Sequence, residues 1–231
     1  MHVSNWISVF WRLGMNSADL PAVLRKLRKV TKTWRIPALT EISYQLDPFR
    51  VLVSCLLSLR TRDEITKAAS KRLFDLADTP QKILQLDPKQ IEKAIYPVAF
   101  FRNKTLSLYE ISETLISHYE GNVPARLDQL LKLKGVGRKT ANLTLILGHG
   151  KPGICVDTHV HRISNRWGYV QTKSPDETEM TLRKILPKRY WMGYNDLLVS
   201  FGQNTCKPQS PYCSQCCVAD YCEQVGVKRY R

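Results

Sequence analysis

Apolar side chains recur three and four positions apart along most of this chain, and they rarely alternate with polar ones. Phe49, Leu52, Val53, Leu56 and Leu57 form one such series, and Leu106, Tyr109, Ile111, Leu115 and Ile116 form another. Both series predict helices with one face turned inward. The punctuation agrees. Asp47-Pro48, Thr79-Pro80, Asp87-Pro88 and Ser174-Pro175 each place a capping side chain before a proline suited to a first helical turn. Ser174 with Glu177, and Thr61 with Glu64, have capping-box spacing. Strand-like runs bounded by Asn-Gly or Asp-Gly turns are missing, so the expectation is an all-α chain of roughly ten helices. There are no low-complexity linkers or internal repeats. The clearest break is Gly148-His149-Gly150-Lys151-Pro152-Gly153, read as a tight crossover between two packed helical lobes.

Composition adds a partner. The 231 residues suit one large domain or two small ones with enough apolar content for a core. They carry 35 Lys and Arg against 20 Asp and Glu, a formal charge of +15. Such an excess fits a polyanion, because each cation facing a phosphate releases condensed counterions. Nucleic acid is therefore the expected partner, in preference to small anionic metabolites.

No run approaches the length of a membrane span. Residues 1–15 contain Trp6, Phe10 and Trp11 but lack a basic n-region and a small-residue cleavage site, so neither signal peptide nor anchor is expected. Met15 precedes Asn16-Ser17-Ala18-Asp19, an ordinary helix start, and the opening fourteen residues are expected to be a dispensable extension. A monomer in the cytoplasm, nucleoid-associated in a prokaryote, is the corresponding expectation.

Seven cysteines, an odd number, argue for a reducing compartment and against a disulfide framework. Four follow Cys-x6-Cys-x2-Cys-x5-Cys: Cys206, Cys213, Cys216 and Cys222. Thiolates this close in sequence can converge on one small volume, and four of them satisfy either a [4Fe–4S] cluster or tetrahedral zinc. Choosing Cys217 instead would break the spacing on either side. Cys55 and Cys155 lie in apolar stretches and read as buried thiols.

Upstream stands Leu133-Lys134-Gly135-Val136-Gly137-Arg138-Lys139-Thr140-Ala141-Asn142. Leu127–Lys134 and Arg138–Leu147 read as two helices joined by Gly135-Val136-Gly137. The glycines permit backbone angles that other residues resist and keep side chains out of the way of a close approach. Val136 can then plug the core while the flanking amides and the N-terminus of the next helix offer a site for a phosphate, so Gly135, Val136, Gly137 and Arg138 are the expected DNA-binding residues here.

The string resembles the helix-hairpin-helix of the endonuclease III family of DNA glycosylases with apurinic/apyrimidinic lyase activity. Val156-Asp157-Thr158-His159 is similar to a segment of that family, and the cysteine spacing is its iron–sulfur pattern. The likeness runs from about Ala18 to Cys222. It implies a [4Fe–4S] cluster on the four cysteines, in preference to zinc, with Lys139 as nucleophile and Asp157 as catalytic carboxylate. A carboxylate can stabilise positive character on the sugar, and a neutral amine can attack C1′ to give a Schiff base. Arg138 and the positive end of its helix are placed to favour loss of that amine's proton. Without the resemblance, Lys139 would read as a phosphate-binding lysine and Asp157 as a helix N-cap, and the latter is compatible with both roles. His159 and His161, two apart on a helix, point to different sides and do not suit one ion.

Bases inside a duplex are out of reach, so a nucleotide must be turned out and side chains must fill the gap. The family's wedge, often in a Leu-Ser-x-Gln-x-x-Asp context, corresponds here to Leu57-Ser58-Leu59-Arg60-Thr61-Arg62-Asp63, with Arg60 where glutamine is frequent. Arg60 can donate twice to a guanine edge, or bind phosphate. A second wedge loop is expected around Phe100 and Phe101, one buried and one inserted. Between Cys206 and Cys213 only Lys207 is a cation, so this loop should contribute less to phosphate binding than is usual in the family. Lys228-Arg229-Tyr230-Arg231 is placed to compensate, although an unstructured tail is the simpler reading.

Two helical lobes flanking a DNA cleft are therefore expected. One is a six-helix barrel over residues 41–151 that includes the hairpin, and the other combines residues 1–40 and 152–231 around the cluster. The implied function is excision of oxidised or damaged pyrimidines from double-stranded DNA with β-lyase cleavage at the abasic site. The alternatives are a mismatch glycosylase for thymine, uracil or adenine, and a non-catalytic helix-hairpin-helix module with a structural metal.

Overall fold

The computed structural model describes residues 14–34 and 47–231. The expected N-terminal extension, apart from Gly14, and the expected lobe boundary near residue 41 lie outside the described residues. Those described contain no strand. They form eleven α-helices: α1 (Leu20–Thr31), α2 (Pro48–Ser58), α3 (Asp63–Leu76), α4 (Pro80–Gln85), α5 (Pro88–Ile95), α6 (Phe101–Tyr119), α7 (Leu127–Leu130), α8 (Arg138–Leu143), α9 (Thr158–Arg166), α10 (Pro175–Ile185) and α11 (Trp191–Asn204). None is long and apolar enough to cross a membrane.

The proline-marked starts are where the sequence predicts them. Asp47 accepts from the amides of Phe49 and Arg50, Thr79 from Lys82, Asp87 from Lys89 and Ser174 from Glu177. Thr61 is different. Arg62 occupies the N-cap of α3 with no side-chain cap, and the Thr61 hydroxyl instead accepts from the Ala99 amide at 3.2 Å.

Two main cores organise the molecule. The first gathers α2 to α8, with Leu52, Leu57, Leu73, Ile83, Ile95, Leu108 and Leu130 fully buried. Helix α2 runs through it, burying eight of its eleven residues, as a helix apolar on all sides must. The second core joins the two ends of the described chain, packing Leu20, Leu24 and Leu27 of α1 against Ile163, Trp167, Leu198, Phe201 and Val218. A small third cluster links α2 and α8 to the crossover segment through Val51, Cys55, Leu143, Ile146 and Cys155.

Helix α6 corrects one expectation. Leu106 is 63% exposed and Ile116 37%, while the inward face carries Lys104, Thr105, Leu108, Ile111, Ser112 and Leu115. Polar residues on the buried face shift the true series away from the one that apolar spacing alone selects.

The second hairpin helix is also shorter than expected. It loosens after Leu143 into a π-turn over Thr144–Gly148. Asn142 and Thr144 donate back to the carbonyls of Arg138 and Thr140, which competes with the regular ladder. Gly148 meets α2 so closely that a Cβ there would lie 2.7 Å from the Pro48 Cα.

Candidate active site and cysteine pocket

The hairpin turn divides its labour between two unlike glycines. Gly135 has φ +72°, a left-handed conformation that penalises any side chain, whereas Gly137 has an ordinary φ of −88°. A Cβ on Gly137 would meet nothing within 4 Å, so what this glycine provides is a bare surface. Val136, between them, is 6% exposed and belongs to the first core. The amides and α8 therefore turn outward around a plugged turn.

Lys139 is half-buried in the first turn of α8. Among the described residues no hydrogen bond or ion pair holds its amine. Asp157 caps α9, and both bonds fall on one carboxylate oxygen: Oδ1 accepts from the amides of His159 at 2.8 Å and Val160 at 2.9 Å. Oδ2 remains for another partner. The two residues share neighbours, since the charges of Lys139 and Asp157 both act on the Cys155 thiol and on the His159 imidazole. One aliphatic amine and one carboxylate, its Oδ2 uncommitted, thus act electrostatically on the same two side chains.

The floor of this site is apolar. Burial pushes the Cys55 thiol up to about 12 and raises Cys155 well above the ordinary thiol value, so both are inert thiols at neutral pH. Burial pulls His159 down, keeping its ring neutral at neutral pH. The two histidines serve different partners, as their spacing predicts. His159 Nδ1 accepts from Arg162 at 3.1 Å, and His161 Nδ1 pairs with the Thr178 hydroxyl at 2.7 Å.

Arg138 departs from expectation. Its guanidinium donates to both oxygens of Glu179, at 2.6 and 3.0 Å, instead of standing as an uncompensated cation beside Lys139. Glu179 is 2% exposed and also accepts from Asn142 and Arg183. No local pattern in the chain announces this carboxylate.

Arg60 and Phe100 sit at the tips of two loops that meet. The Arg60 guanidinium lies over the Phe100 ring, 5.8 Å from its centre. Phe100 is 59% exposed, while Phe101 packs partly buried against the first core and meets Tyr96 edge-on.

Cys206, Cys213, Cys216 and Cys222 line one pocket with a cavity of about 20 Å³; Cys217 does not line it. Among the described residues no three His, Cys, Asp or Glu side chains converge on a single point as one ion requires. Four cysteines lining one pocket are a donor set that suits either a multi-iron cluster or a tetrahedral ion. Burial pushes the Cys216 thiol up to about 12 and Cys222 up to about 11, so thiolates here need the positive charge of a metal. Arg166 supplies part of that compensation, reaching the Cys206 sulfur at 3.5 Å and the carbonyls of Lys207 and Pro208 at 2.6 Å.

The Lys207 ammonium stacks on Tyr212 at 5.2 Å, and so does the Arg231 guanidinium at 5.1 Å. The Arg231 amide donates to the Pro211 carbonyl at 2.8 Å and its carbonyl accepts from Ser214 at 3.0 Å. The final residues are thus folded onto the cysteine loop, contrary to the unstructured tail that the sequence suggests.

Residues 53–188 match the HhH-GPD superfamily of base excision DNA repair proteins. The chain is 49% identical to endonuclease III of Thermotoga maritima over 179 residues, covering 78% of this chain and 84% of that protein. Its fold is similar to a solved structure of a trapped endonuclease III–DNA covalent intermediate, with a TM-score of 0.81 and 33% identity over 91% of this chain and 97% of the other. A thermostable thymine-DNA glycosylase has a similar fold, with a TM-score of 0.79 and 22% identity over 90% of this chain and 96% of the other.

Proposed function

Because the chain belongs to the endonuclease III family within the HhH-GPD superfamily of base excision DNA repair proteins, we propose that it removes oxidised or ring-damaged pyrimidines from duplex DNA and cleaves the resulting abasic site. The observation that carries this reading is the uncommitted Lys139 amine sharing its neighbours with the uncommitted Oδ2 of Asp157.

The neutral amine of Lys139 forms a bond to C1′ of the flipped nucleotide as the N-glycosidic bond breaks. The bonding pair leaves with the base, which takes up a proton. Asp157 Oδ2 stabilises the positive character that develops on the sugar. Opening of the sugar ring leaves an iminium on Lys139, which acidifies the C2′ proton. Loss of that proton expels the 3′ phosphate by β-elimination, and water then releases the lysine. Asp157 keeps its place throughout because its other oxygen is fixed at the start of α9.

The hairpin amides around Gly135, Val136 and Gly137, and the cations Lys207 and Arg231 on the cysteine loop, would hold the duplex backbone. Arg60 and Phe100 would fill the space the nucleotide leaves. The four cysteines would hold a [4Fe–4S] cluster, which when bound cross-links the C-terminal segment through iron–thiolate bonds. The likeness to the thymine-DNA glycosylase concerns the fold alone, and Lys139 favours the lyase-competent reading over a mismatch glycosylase.

Borohydride reduction in the presence of abasic duplex is expected to trap a covalent adduct, and Lys139→Gln is expected to lose it while still binding duplex. Trapping by Lys139→Gln at the native level would overturn the assignment.

A further inference from the structure

Lys104 is a buried cation on α6, 6% exposed, and among the described residues it has no carboxylate partner. Its Nζ donates to the carbonyls of Leu57 at 2.8 Å and Leu59 at 2.7 Å, and to the Thr61 hydroxyl at 3.4 Å. The first two carbonyls close α2, where a helix leaves acceptors unpaired and concentrates negative potential. Thr61 in turn accepts from the Ala99 amide at 3.2 Å. A single ammonium therefore knots the turn after α2 to the turn before α6.

Each of these turns contains a residue held in an uncommon conformation. Arg60 has φ +56° and Phe100 has φ +58°, both left-handed without being glycine. Such angles cost free energy and persist only where the surroundings over-determine them. Neither side chain offsets that cost in the core, since both are exposed and touch each other, with the guanidinium 5.8 Å from the ring centre. What the knot determines is the shape of a projecting surface. Burial pulls the Lys104 pKa down to about 8, so holding a charge here is itself unfavourable, in keeping with a specific demand for it.

We propose that Lys104 is a positioning residue that locks Arg60 and Phe100 into one preassembled wedge, so that its loss impairs opening of paired duplex more than it impairs the chemistry. The proposal rests on the glycosylase reading above. Thr61 belongs to the same device, which accounts for its absence from the α3 cap.

The test compares single-turnover removal of one oxidised pyrimidine in two duplexes, one fully paired and one with an abasic site opposite the lesion, where flipping is easier. If the wild-type protein releases the base from neither, the glycosylase reading fails and the wedge is not at issue. With an active wild type, Lys104→Met is expected to slow the paired duplex on the order of tenfold more than the unpaired one, within the roughly hundredfold loss that misplacement of a remote group can cause. A merely structural role would lower both rates together. Equal losses, or none, would overturn the proposal. Should Lys104→Met fail to fold, Thr61→Val carries the test, because it cuts the bridge to Ala99 while leaving the ammonium in place. It is expected to move the ratio in the same direction, and an unmoved ratio would refute the wedge.

Discussion

Glu179 of α10 grips Arg138, the residue immediately before Lys139, through two hydrogen bonds at 2.6 and 3.0 Å. Helix α10 packs Leu182 into the second core, so this contact ties that core to the helix bearing the candidate nucleophile. Arg183 reinforces the tie, donating to Glu179 at 2.8 Å and to Asn142 of α8 at 2.9 Å. Relative placement of Lys139 and Asp157 depends on it, because Asp157 caps a helix of the second core.

Glu179→Gln should therefore both destabilise the protein and misplace the amine. Breaking a buried charge network of this kind costs about 3 kcal/mol. For a chain of this size that corresponds to a fall in Tm of about 6–12 °C. Thermal denaturation and borohydride trapping on abasic duplex together check it: Tm and adduct yield should fall, while Lys139 itself is unaltered. An unchanged Tm would mean that the network contributes nothing.

What the sequence disclosed and what it concealed divide along the range of the interaction. Proline-marked caps, the hairpin string and the four cysteines are local patterns, and a few consecutive residues suffice to express their chemistry. Glu179 lies 41 positions from Arg138 and nothing near either residue announces the other. Thr61 has a capping-box spacing, yet a long-range competitor at Ala99 takes its hydroxyl. Leu106 fits an apolar series, but the buried face of α6 is written partly in Thr105 and Ser112. Arg231 is hidden in another way, since its place depends on a tyrosine 19 positions earlier.

The cysteine pocket makes a selective prediction between adjacent residues. Cys216→Ser should abolish the broad visible absorption of iron–sulfur thiolate ligation, whereas Cys217→Ser should keep it, because of these two neighbours only Cys216 lines the pocket. Iron and acid-labile sulfide analysis of both proteins gives a second readout. Retained absorption in Cys216→Ser with loss in Cys217→Ser would exchange their roles.

Arg60 stacks on Phe100 at the tip of the proposed wedge. If its guanidinium reads a guanine edge, replacing it with glutamine should alter the dependence of base removal on the opposite base. A good bidentate pair is worth ~1–3 kcal/mol of discrimination, so the ratio between guanine and the other three opposite bases should change by roughly tenfold. Rates measured against all four opposite bases decide the matter. Ratios that stay constant in Arg60→Gln would leave the residue a phosphate ligand.

Lys207 and Arg231 share Tyr212 as a stacking platform on the cysteine loop. If each meets a phosphate, the double variant Lys207→Ala/Arg231→Ala should bind duplex more weakly and with a shallower salt dependence. The slope of log affinity against log salt should drop by about 0.9 for each phosphate that is no longer neutralised. Fluorescence anisotropy at several salt concentrations measures it, and a parallel, undiminished slope would place both cations off the DNA.

His159 sets an acid limit on the site. Its Nδ1 accepts from Arg162, an obligate donor, so protonating that nitrogen breaks the bond and sets one cation against another. Burial is the largest influence pulling its pKa below the ordinary 6.5, and Arg162 and Lys139 act the same way against the opposing carboxylates of Asp157 and Asp63. With the folded value depressed, the unfolded chain binds the extra proton first as acidity rises. The stability owed to this histidine is therefore complete above the ordinary value and is lost as pH falls through the window down to the folded one. The same proton would place a cation beside Lys139 and Asp157, so adduct formation should decline in that window too. Thermal denaturation at roughly pH 7.5 and 5.5, on either side of the ordinary histidine value, should show a smaller acid-induced loss of Tm in His159→Gln than in the wild type. If the two proteins lose stability equally on acidification, the groups that titrate lie elsewhere and His159 has no part in the acid limit.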